Sequence, residues 1–108
     1  MVNKSIINMA LEYVNQIPSE LKVSKAFLFG SFAKGLENEN SDIDIAIVVG
    51  NMTNFFSTQM QLMKVRRNID LRIEPHPISI SDFTNNNPFV SEILKSGVEL
   101  EINKNTKS

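Results

Sequence analysis

The sequence has no cysteine and only one histidine among its 108 residues. The first absence excludes disulfides, thiolate catalysis and cysteine-ligated zinc, and the second excludes a multi-histidine metal site. Charge of one sign is also lacking: the formal net charge is −1. No strong field therefore draws the whole molecule towards nucleic acid or a membrane, although a small nucleotide site needs only local positive charge. No apolar run approaches the roughly 18 residues of a transmembrane helix. The opening MVNKSIINMA lacks the long apolar stretch and small-residue cleavage site of a secretory signal. Together with the absence of cysteine, this reads as a cytoplasmic protein. Repeats, linkers and internal boundaries are missing as well. One domain over residues 1–108 is expected, with the polar residues 103–108 as a frayed tail.

What is present is ordinary for a globular chain, 42% hydrophobic and 21% charged. Ile6, Met9, Ala10, Tyr13, Val14 and Ile17 recur at spacings of three and four, which predicts a helix over residues 5–17, capped by Ser5 and stopped at Pro18. VSKAFLF (23–29) reads as a first strand, and GSFAKG (30–35) as a turn opening a short helix. A polar loop over residues 36–40 leads to DIDIAIVV (42–49), which alternates and then turns wholly apolar, as a strand entering a core does. Residues 53–67 read as a second main helix, with Phe55, Phe56, Met60 and Met63 dividing its faces. IDLRIE (69–74) alternates as a third strand, which Pro75-His76-Pro77 limits or makes an edge. A short helix over residues 88–95 and a last strand over 98–102 complete an α/β (α+β) chain, with a small mixed sheet and its helices packed on one face.

Chemistry gathers around three carboxylates. Asp42 and Asp44 lie two apart in a strand, so they share a face while Ile43, Ile45 and Ile47 take the other. Helices covering the isoleucines would leave both aspartates on the open face. Two such carboxylates repel unless a cation joins them, and magnesium is commonly held by one or two carboxylates plus substrate phosphates. Asp70, on a neighbouring strand with the parity of Arg72 and Glu74, can complete the site or take the proton of an attacking hydroxyl. Glu74, further along the same strand face, is a reserve candidate. Gly30 allows close backbone approach, Ser31 offers a hydroxyl, and a helix starting there turns free N–H groups towards an anion. Lys34 adds a mobile positive charge and joins them as a nucleotide-binding candidate, although taken alone it reads as a solvated lysine. His76, between two prolines, reads as a turn residue rather than a base. A phosphate-cradling loop beside metal-holding carboxylates implies phosphoryl chemistry on a nucleoside triphosphate.

The string Leu28-Phe29-Gly30-Ser31-Phe32-Ala33-Lys34-Gly35, followed by Ser41-Asp42-Ile43-Asp44-Ile45-Ala46, resembles the DNA polymerase β-like nucleotidyltransferases, and among them the minimal nucleotidyltransferases of bacteria and archaea. Their signature is Gly-Ser, ten intervening residues, then Asp-x-Asp; here positions 32–41 are those ten. Asp70-Leu71-Arg72 falls where the family carries its third carboxylate. The resemblance implies that Gly30 and Ser31 hold triphosphate, that Asp42 and Asp44 bind magnesium (manganese as a substitute), and that Asp70 is third ligand or general base. It also implies transfer of a nucleoside monophosphate, AMP from ATP, with release of pyrophosphate. Many family members are antitoxins to a HEPN toxin, so a HEPN-type protein is the expected acceptor. Two rival expectations stand beside it: a binding module whose site is idle, and a small-molecule modifier of the aminoglycoside type acting as an oligomer.

Overall fold

The computed structural model describes residues 3–102; the expected tail over residues 103–108 lies outside them. Eight regular elements follow in order: α1 (Lys4–Asn15), β1 (Val23–Phe29), α2 (Ser31–Lys34), β2 (Ile43–Val49), α3 (Phe55–Val65), β3 (Ile73–Ser79), α4 (Pro88–Ser96) and β4 (Val98–Glu99). The four strands form one sheet in the order β3-β2-β1-β4. β1 runs antiparallel to both β2 and β4, whereas β2 and β3 are parallel and α3 makes the crossover between them.

The first face of the sheet is built as its pattern predicts. Ile43, Ile45, Ile47 and Val49 of β2 are fully buried, with Ala26 and Leu28 of β1 beside them. Covering them are Ala10, Tyr13 and Val14 of α1 and Leu62 of α3. Each such aliphatic side chain contributes about 1.5–3 kcal/mol by leaving water. The Tyr13 hydroxyl donates to the Leu62 carbonyl at 2.8 Å and so ties the two helices together. Burial pushes that phenol well above its usual range, with Arg66 pulling in the opposite direction. The cap of α1 is Asn3 rather than Ser5: its side chain accepts the Ser5 amide at 2.8 Å, and the helix starts one residue earlier than its apolar stripe.

α3 turns a different stripe inward than its large side chains suggest. Thr58 and Leu62 are buried, while Phe55, Phe56 and Met60 are exposed at 58%, 71% and 44%. Three large apolar side chains on one outer flank form a patch rather than scattered exposure.

The second face is not fully open. β2 residues with the parity of Asp44 are Ala46 and Val48, both apolar, and they need cover. α4 supplies it: Val90 and Ile93 pack against Phe27, Ala46, Val48 and Ile78. The aspartate face is thus closed at one end of the sheet by α4, and the site occupies the other end.

The third strand is displaced from its sequence expectation by four residues, starting at Ile73 and running through both prolines to Ser79. The reason lies in which way the backbone faces. The Ile43 amide donates to the Arg72 carbonyl at 2.9 Å, so even-numbered residues of this strand turn their peptide groups towards β2. Pro75 and Pro77 fall on the odd positions, where a missing N–H faces away from the ladder. β3 is an edge strand, so neither proline breaks a bond. The residues expected to begin the strand form a turn instead: the Asp70 carboxylate accepts the Arg72 amide at 2.8 Å.

Candidate active site

The site begins where β1 ends. Gly30 adopts φ 77°, ψ −153°, a conformation nearly reserved for glycine, and the chain then turns directly into α2 at Ser31. Space demands glycine as strongly as the backbone does. A Cβ at Gly30 would stand 2.5 Å from Oδ2 of Asp44, so the carboxylate lies across the glycine where a side chain would be. Register accounts for this: Phe29, the last residue of β1, pairs with Asp44 on β2. The turn and the second aspartate of the Asp-x-Asp pair therefore meet as expected, with the first-turn amides of α2 lacking intrahelical acceptors.

The other Asp44 oxygen is engaged too. Oδ1 lies 3.0 Å from Nε2 of His76 on β3. His76 stands edge-on to Phe29, ring centroids 5.0 Å apart, and beside Phe89 of α4 at 5.9 Å; Phe29 and Phe89 also meet edge to face at 5.4 Å. Three rings from three elements thus wall one side of the carboxylate. In the parallel ladder, Asp44 is the register partner of Glu74. Register partners share a sheet face, so Glu74 stands next to Asp44 with His76 two residues beyond.

Other expected site residues are placed less centrally. Asp42 is exposed, one residue before β2 starts. Lys34 ends α2 and lies 3.9 Å from Glu92 of α4, with about half of its side chain exposed. Asp70 is not on the strand. Its carboxylate receives the Arg72 guanidinium in a two-pronged pair at 3.1 and 2.8 Å, and Arg72 in turn lies over the Phe32 ring. The hydrogen bond from Arg72 holds the Asp70 carboxyl below the usual carboxylate range. The acidic position beside Asp44 is taken by Glu74, which the sequence marked only as a reserve, and His76 is a strand residue rather than part of a turn. The signal that could have found both was the two-residue spacing of Pro75 and Pro77, which permits an edge strand with His76 between them facing the sheet.

Among the described residues, no three histidine, aspartate or glutamate side chains gather closely enough to enclose a metal ion unaided. The donors present nevertheless suit magnesium delivered with a triphosphate. Asp44, Glu74 and the nearby Asp42 offer hard oxygens, and the phosphates supply the rest of the shell. The absence of a side chain at Gly30 leaves the room that the Asp44 carboxylate occupies.

The family model for the polymerase beta nucleotidyltransferases matches residues 12–106. A Methanocaldococcus jannaschii protein named "Putative protein adenylyltransferase" is 31% identical over 101 residues, spanning 88% of this chain and 98% of its own. Among solved structures, a toxin–antitoxin complex with AMP-PNP superposes with a TM-score of 0.59 at 18% identity, covering 91% of this chain and 74% of that one. The complex of a tri-AMPylated Shewanella oneidensis HEPN toxin with its MNT antitoxin gives a TM-score of 0.58 at 16% identity, covering 93% and 72%.

Proposed function

The chain belongs to the polymerase beta nucleotidyltransferase family, and from that premise we propose that it moves AMP from magnesium-bound ATP to a hydroxyl of a protein acceptor, a HEPN-type toxin that it thereby neutralises. One observation carries the reading: Asp44 lies across Gly30 at the mouth of the Ser31 turn while pairing in register with Glu74. A triphosphate grip and two adjacent carboxylates so occupy one end of one sheet. The M. jannaschii relative and the AMPylated HEPN complex support the nucleotide and the acceptor class.

In this scheme Gly30, Ser31 and the first-turn amides of α2 hold the β- and γ-phosphates, with Lys34 as a mobile counter-charge. Asp42, Asp44 and Glu74 would hold magnesium, which supplies neutralisation of the triphosphate's charge and orients it for in-line displacement. We assign the third carboxylate to Glu74 in place of Asp70, whose oxygens are committed to Arg72. The acceptor oxygen bonds the α-phosphorus as the bond to the bridging oxygen breaks, and pyrophosphate departs with that electron pair. The hydroxyl proton passes to Glu74, the carboxylate on the outer side of the pair. His76 fixes the Asp44 rotamer through Oδ1 and leaves Oδ2 turned towards Gly30.

The test is mass spectrometry of a HEPN-type partner after incubation with the protein, ATP and magnesium. The expected result is added AMP mass on the partner, abolished by Asp44→Ala in a protein that still folds. A partner neutralised equally by Asp44→Ala, with no mass added, would replace the enzyme with a stoichiometric binding module.

A further inference from the structure

A cleft of about 340 Å³ runs along the outer edge of β3 and opens beside the site at His76. Its floor is the strand from Pro75 to Ser79. Met52 and Phe55 form one lip, Asn87 and Phe89 the other. Odd-numbered residues turn their peptide groups outward, so at the buried Pro75 and Pro77 the floor carries no outward N–H, and that donor is left to Ser79. Arg66 caps the carbonyl of Ile73 at 2.9 Å, outside the cleft. Gln59, on the α3 side of the lining, has a buried side-chain oxygen with no hydrogen-bond partner among the described residues. A buried orphan acceptor calls for a donor.

Position gives the cleft a role. In-line displacement sets the attacking and leaving oxygens on opposite sides of the phosphorus. If the leaving pyrophosphate is held at Gly30–Ser31, at the end of β1, the attacking hydroxyl must arrive from the opposite side. With strand order β3-β2-β1 that side is β3. The cleft is the concave surface there, and His76 belongs both to its wall and to the hydrogen bond with Asp44. Charge narrows the occupant. No lysine or arginine lines the cleft, and Asp82 does. A nucleic acid would bring phosphates to a surface whose one charged lining residue is an aspartate.

We propose that this cleft is the acceptor seat and that it takes a polypeptide segment, an apolar side chain lodging between Phe55 and Phe89. Because Pro75 and Pro77 are buried and offer no N–H, the segment is gripped through its side chains and adds no full strand to the sheet. The proposal rests on the nucleotidyl-transfer reading above and deepens it.

The test uses the full chain with α-labelled ATP and magnesium. It is offered a pool of serine-, threonine- and tyrosine-containing peptides with randomised flanks and, separately, an RNA oligonucleotide with a free 3′-hydroxyl. Wild type should label peptides with flanking apolar residues and leave the RNA unlabelled. Phe55→Asp places a carboxylate on the lip at the first turn of α3, where it suits the helix. It should lower kcat/KM for peptide about tenfold or more, chiefly through KM, as removal of an apolar anchor does. ATP affinity and the peptide-free release of pyrophosphate, in which water takes the AMP group and leaves free AMP, should be unchanged, and Phe55→Leu should restore labelling. Labelled RNA, equal peptide labelling by Phe55→Asp and wild type, or weakened ATP binding in Phe55→Asp would each overturn the acceptor seat. A wild type that binds ATP and releases pyrophosphate but labels no peptide overturns the seat alone. One that neither binds ATP nor releases pyrophosphate overturns the transfer reading with it.

Discussion

Replacing Gly30 with alanine probes the centre of the site without replacing a charged group. Two costs arise. At φ 77°, ψ −153° the backbone holds a conformation that costs an alanine about 1–3 kcal/mol. The new methyl also meets Oδ2 of Asp44 at 2.5 Å, which forces the carboxylate to turn away and give up its bond to His76. For a domain of this length each kcal/mol lowers Tm by about 4 °C, so the backbone term alone predicts a fall of about 4–12 °C. The two costs separate in a double-mutant cycle with Asp44→Ala. Removing the carboxylate relieves the collision and leaves the strain, so the pair should couple by about 0.5–3 kcal/mol. Gly35→Ala is the control. Gly35 has φ 72° and ψ 22°, so it also carries backbone strain, but it sits at the far end of α2. Thermal denaturation by circular dichroism and calorimetry with ATP and magnesium read both effects. Gly30→Ala should lose Tm and nucleotide affinity together; Gly35→Ala should lose Tm alone. A Gly30→Ala protein with wild-type affinity, or a cycle with no coupling, would refute the contact between glycine and carboxylate as the basis of the site.

Other expectations follow from the same geometry. Tyr13→Phe removes the bond to the Leu62 carbonyl inside the core and should cost about 1–3 kcal/mol in urea unfolding, with nucleotide binding unaffected. Glu74→Gln should slow AMP transfer about a hundredfold or more, the scale of a lost acid–base group, whereas Asp70→Asn should leave the rate nearly intact; the opposite ranking in a pyrophosphate-release assay would return the third role to Asp70. Asp70 has a carboxyl held below its unfolded value, so its pair with Arg72 stabilises the fold above about pH 4 and is lost as pH falls through the folded pKa. Since Arg72 is about half exposed, the pair is worth less than about 1 kcal/mol. The stability gap between wild type and Asp70→Asn should therefore be small near neutrality and vanish in acid, as denaturant midpoints against pH would show.

The parts of the molecule legible in the sequence were those where side-chain periodicity and backbone geometry agree. Ile43, Ile45 and Ile47 alternate and are all buried, and the Gly30–Ser31 turn meets Asp44 because the hairpin register of β1 and β2 follows from that alternation. Periodicity failed where a turn imitates a strand. Ile69-Asp70-Leu71-Arg72 alternates apolar and charged residues, yet a local side-chain bond from Arg72 N–H to Asp70 closes it into a turn. Pro75 and Pro77 can either limit a strand or mark an edge, and the structure takes the edge, because their effect depends on which side of the strand has a partner. In α3, residue size does not mark the inward face: Phe55, Phe56 and Met60 are larger than Thr58, but Thr58 is the one buried. α4 on the second face was missed as a cover because Val90 and Ile93 lie in too short a helix to announce which face they serve.

The strand order also has a consequence for how the site comes into being. Gly30 and Asp44 belong to antiparallel neighbours joined by a short loop, whereas the bond between Asp44 and His76 spans 32 residues and requires the parallel crossover through α3. Closing the longer loop carries about 0.6 kcal/mol more entropic cost per doubling of length, and parallel pairing is slow to form. The phosphate-facing half of the site is thus topologically local and the acceptor-facing half topologically remote. In a chain emerging from the ribosome, the glycine turn and its aspartate can meet while β3 is still being made. The wall carrying Glu74 and His76 joins them only when the crossover through α3 is complete.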